Sequence, residues 1–72
     1  MKNYEYFVVT YYCKSGNIAN INGFNTIAAA YKYMRPAVKL LFQTLLIDGS
    51  IFETAENLEE ERRVAKEWGI FE

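Results

Sequence analysis

The chain has no histidine, and that absence alone removes most of the ordinary catalytic repertoire. Without imidazole there is no Ser-His or Cys-His pair to activate a nucleophile, and no nitrogen ligand for zinc. Cysteine is nearly as scarce. Cys13 stands alone, so no intrachain disulfide can form, and it reads as a small buried hydrophobe rather than a nucleophile. The four glycines are scattered at 16, 23, 49 and 69, which excludes a glycine-rich phosphate loop. No metal, cofactor or enzymatic activity is therefore expected. Long apolar runs are missing too: none approaches the roughly 20 residues of a membrane span. The run that follows the N-terminal residues is only Phe7 to Val9, so no secretory leader is expected and the cytoplasm is the expected compartment.

What is present is apolar and aromatic. In 72 residues, 51% are hydrophobic and 17% are Phe, Trp or Tyr, which argues for a folded domain spanning 1–72. A core of this size supplies roughly 3–5 kcal/mol, and small domains usually supplement it with a disulfide, a metal or self-association. With the first two removed, a homodimer is expected.

The net charge of −1 conceals an asymmetry. Residues 1–47 carry Lys2, Lys14, Lys32, Arg35 and Lys39 against Glu5. Residues 48–72 carry eight acids against Arg62, Arg63 and Lys66. A near-neutral total gives no support to general nucleic-acid binding, whereas a concentrated acidic end suits a basic protein partner.

Tyr4 to Cys13 is an unbroken β-branched and aromatic run, read as a central strand because neither alternating face is polar. One face holds Phe7, Val9, Tyr11 and Cys13, the other Tyr4, Tyr6, Val8, Thr10 and Tyr12. Lys14-Ser15-Gly16-Asn17 is a turn, and Ile18 to Asn22 a second strand. Asn25 or Thr26 caps a helix whose inward side is Ile27, Ala30, Tyr31 and Met34, ending at Pro36. Asp48-Gly49 then reads as a type I′ hairpin turn setting Ile47 against Ser50, Leu46 against Ile51 and Leu45 against Phe52. Asn57, with Glu60 three residues on, opens the last helix, which Gly69 closes.

These elements give a ββαββα order: a small two-layer α+β domain, with an antiparallel sheet and two helices on one face. The spacing of Ile27, Tyr31, Met34, Val38, Leu41 and Leu45 also fits one long helix over 26–46, kinked at Pro36, with a reduced sheet. Helix, break, strand is preferred, because a turn at Asp48 calls for a strand before it.

Two surfaces stand out. The acidic end, Glu53, Glu56, Glu59, Glu60 and Glu61, is the first. Within it Glu61 falls in the apolar arc of Leu58, Val64, Ala65 and Trp68, and is expected to reach solvent at the arc edge, a cation such as Lys39 or Arg35, or a partner. The tyrosine face of Tyr4, Tyr6 and Tyr12, flanked by Lys2 and Lys14, could stack single-stranded bases. The expected function is a non-enzymatic protein-interaction module, an inhibitor or regulator from a bacterium or phage acting through its acidic helix. A nucleic-acid-binding regulator using the tyrosine strand is the alternative.

Overall fold

A computed structural model describes residues 4–34 and 41–69. Its elements are β1 (Tyr6–Tyr12), β2 (Ile18–Phe24), α1 (Ile27–Met34), β3 (Phe42–Asp48), a 3-10 helix (Gly49–Phe52) and α2 (Leu58–Glu67). The strands form one antiparallel sheet in the order β2-β1-β3, with two helices, an α+β domain. The apolar β1 is the central strand, as its two apolar faces require.

Alternation along β1 divides the sheet into two faces. Phe7 and Val9 pair across to Ile47, Leu45 and Ile21, and this face carries the main core with Phe52, Ala55, Val64 and Ala65. Val8, fully buried, faces the other way beside Asn22 and Leu46.

The two helices divide between these faces. The core residues of α2 lie with Phe7 and Val9. In α1, Tyr33 accepts a hydrogen bond from Asn22 Nδ2 at 2.8 Å and stacks on Phe24 at 5.3 Å, and both partners share Val8's face. The expected placement of both helices on one face is thus replaced by one helix on each. The reason lies in β1 itself: with Val8 apolar opposite Phe7 and Val9, a single layer of cover leaves one side of the strand wet.

A bulge explains an irregular pattern in β2. Ile18 and Ile21 are three residues apart and would face opposite ways in a regular strand. The pairing shifts between Thr10↔Asn20 and Tyr11↔Ile18, so Ala19 is the extra residue and Ile18 swings into the core with Ile21.

The expected hairpin at Asp48-Gly49 does not form. Asp48 has φ −71° and ψ 134°, and its carboxylate accepts from Ser50 N at 2.9 Å, capping a 3-10 helix where a fourth strand was expected. Phe52 is thereby driven under the sheet, fully buried, edge-on to Phe7 at 4.9 Å and 82°. Burying a phenylalanine is worth about 1.5–3 kcal/mol and the ring pair about 0.5–1.5 more. A strand over 50–53 would have spent Phe52 on an open edge. The chain order is therefore β, β, α, β, 3-10 helix, α. A strand over 42–48 also rules out the continuous 26–46 helix; Pro36 lies outside the described residues.

The helix caps agree with the sequence. Thr26 Oγ1 accepts from Ala29 N at 3.1 Å, Asn57 Oδ1 from Glu60 N at 3.0 Å, and Gly16 and Gly69 take positive φ of 75° and 70°. Of the expected inward side of α1, Ala30 is buried and Met34 half-buried, while Ile27 and Tyr31, one turn apart, are exposed. Cys13 is also exposed rather than buried, because the ladder ends at Tyr12↔Phe42.

Candidate protein-interaction surfaces

The acidic residues do not act as one set. Glu53, Glu56 and Glu59 are exposed and available to a partner. Glu60 is engaged, since its carboxylate accepts from the amide of Glu56, the residue before the N-cap, while its own amide donates to Asn57. Glu61 is fully buried, and neither carboxylate oxygen has a hydrogen-bond partner among the described residues. It does not reach solvent at the arc edge; Arg35 and Lys39, the cations considered for it, lie outside the described residues. Burial pushes the Glu61 carboxyl above its ordinary value. A fully buried carboxylate without a hydrogen-bond partner among the described residues is a burden on the fold, and Glu61 is removed from the partner-binding set.

Tertiary structure adds acids that the sequence left apart. Glu5, just before β1, and Asp48, at the end of β3, meet Glu53 around a cleft of about 400 Å³ also lined by Tyr4, Tyr6 and Ser50. The antiparallel pair Tyr6↔Asp48 makes the juxtaposition, and the Gly49 amide continues the ladder to Glu5 O at 2.8 Å. Glu53 lines the cleft and begins the Glu53, Glu56, Glu59 series. Only strand pairing could reveal Glu5 and Asp48 as neighbours, because they are remote in sequence.

The three tyrosines are separated. Tyr6 pairs with Phe24 and Asp48 on Val8's face, and Tyr12 stacks on Phe42 at 4.8 Å. Tyr4 precedes the strand and crosses to the opposite side, where its ring lies over Gly23 and edge-on to Phe7 at 5.9 Å. Tyr6 and Tyr12 stand about 20 Å apart along the strand. Between them lies Val8, itself fully buried. Tyr12 is thus paired with Phe42 rather than with Tyr6, and the expected row of three tyrosines on one face is not formed.

A second groove, of about 290 Å³, lies where α2 passes the start of β2, lined by Asn17, Ile18, Arg62, Arg63 and Lys66. The acidic label therefore fits only the first turn of α2. Arg62 and Lys66 share a side at i,i+4 spacing, the signal by which the sequence could have shown this groove.

Among the described residues no group of three or more His, Cys, Asp or Glu side chains is placed to hold a metal ion, and no helix is long and apolar enough to cross a membrane. No family model, curated protein or solved structure matches the chain.

Proposed function

We propose that this chain is a non-enzymatic protein-interaction module that captures a basic surface through its acidic cleft and the adjoining start of α2. The observation that carries this reading is the position of Glu53, which joins Glu5 and Asp48 in the cleft to the exposed Glu56 and Glu59. Clustered carboxylates beside tyrosine rings suit lysine and arginine side chains, whose charge the acids meet and whose stems and planar groups the rings accept. A basic groove on a larger protein, such as a nucleic-acid enzyme, is the kind of target this surface fits. An inhibitor or regulator in the cytoplasm of a bacterium, or of the phage infecting it, is the corresponding role.

Self-association belongs to the same reading. The exposed Ile27 and Tyr31 form an apolar pair on the outer side of α1, and a second copy would bury it.

The test is affinity capture from host extract with mass spectrometry, repeated with Glu53, Glu56 and Glu59 all replaced by lysine. Loss of the captured protein, with an unchanged circular dichroism spectrum, supports the reading. Undiminished capture by the folded triple variant sinks it.

A further inference from the structure

We propose that the groove between α2 and the β2 bulge is a binding site for a small phosphate-class dianion, separate from the acidic cleft. Three cationic side chains, Arg62, Arg63 and Lys66, meet there beside Asn17. Arg63 is offset by Glu67, with Nη1 to Oε2 at 2.7 Å. Arg62 and Lys66 are left with two positive charges on one side of the helix, which matches the charge of about −1.5 to −2 on a phosphate monoester near neutral pH.

Arg62 has spare donors in a fixed position. One terminal nitrogen reaches the carbonyl of bulged Ala19 at 3.4 Å, which braces the guanidinium against β2. Its Nε is buried and has no acceptor among the described residues. A buried donor without an acceptor is costly, so an anion at the groove is favoured by charge, and again where the Arg62 side chain turns to bring Nε within its reach. The planar guanidinium offers a bidentate grip while Lys66 contributes a mobile point charge. At about 290 Å³ the groove lies at the small end of ligand sites, which favours a phosphate group with little attached.

The experiment is an NMR titration of the full chain with inorganic phosphate and with pyrophosphate, at ionic strength held constant with sodium chloride. Saturable shifts of the Arg62 Nε–Hε and Asn17 amide resonances are expected. Lys66→Gln, a change at an exposed side chain that leaves the fold intact, should weaken binding by roughly tenfold. Arg62→Lys should weaken it further, because the bidentate grip is lost. Shifts that stay linear, or a midpoint indifferent to Lys66→Gln, would overturn the site. A single-stranded oligonucleotide that binds at least tenfold tighter than either anion, with shifts spreading to Tyr6 and Tyr12, would overturn the small-anion assignment in favour of a nucleic-acid backbone.

Discussion

The Gly49 amide donates to the Glu5 carbonyl at 2.8 Å, and the two backbones approach so closely there that a Cβ on Gly49 would collide with the Tyr4 carbonyl oxygen. This contact binds the end of β3 to the start of β1 and fixes the floor of the acidic cleft. Glycine is required at 49 for space rather than for a left-handed turn.

Gly49→Ala should therefore destabilise the fold by about 1–3 kcal/mol, since only backbone could move aside. Gly23→Ala is the comparison. A Cβ there meets the base of the Tyr4 ring and lies 3.0 Å from the Tyr4 Cβ, so the ring must leave Phe7 and the chain before β1 must shift slightly; the cost should exceed about 1 kcal/mol, the value of the lost ring contact, and stay below that of Gly49→Ala. Urea denaturation of both variants checks the order; a Gly23→Ala loss larger than that of Gly49→Ala would contradict the close approach.

Glu61 sets a pH dependence whose sign follows from its burial. Its native pKa is raised above 4.5 by desolvation. Well below pH 4.5 the carboxyl is neutral in folded and unfolded chains alike. As pH climbs from there the unfolded chain ionises first, so stability falls until the native carboxyl ionises as well. Glu61→Met, of similar length and without charge, should remove this loss and be more stable by about 1–3 kcal/mol at pH 8. Denaturation of both proteins from pH 4 to 8 is the measurement. A stability difference that does not widen with pH would show that the carboxylate is compensated.

The start of α2 depends on two side chains, Asn57 and Glu60, which accept from the Glu60 and Glu56 amides. Asn57→Ala should cost about 1 kcal/mol, which lowers the melting temperature by about 4–8 °C in a domain of this size, and Asn57→Asp should restore most of it. Glu60→Lys should also destabilise, because it removes the acceptor of the Glu56 amide and places a cation at the positive end of the helix. Partner-binding tests should therefore leave Glu60 in place. Thermal melts that are insensitive to Asn57→Ala would refute the cap.

Self-association is predicted at micromolar concentration, with Ile27→Glu and Tyr31→Glu together returning a monomer. Sedimentation velocity on both proteins decides it. A wild-type monomer would mean that the small core needs no second copy.

The local pattern of the chain determined its elements wherever one strong signal acted without competition. The aromatic and β-branched run of β1 announced a central strand, Gly16 its turn, and Thr26 and Asn57 the helix starts; the strand before Asp48 was expected on the strength of a hairpin turn that does not form. It also placed Glu61 on the apolar side of α2, because helical spacing is a local property. Tertiary structure decided everything that depends on competition between distant groups. Asp48-Gly49 suits a hairpin by its own preferences, yet the cap to Ser50 and the burial of Phe52 against Phe7 outweighed them. The side taken by each helix, and the phase of β2 past Ala19, were settled by which faces of β1 needed cover. Glu5, Asp48 and Glu53 became one cleft, and Asn17 joined Arg62 and Lys66, only through pairing and packing between segments. Sequence spacing does not encode such meetings, because they follow from the burial of apolar surface summed over the whole chain.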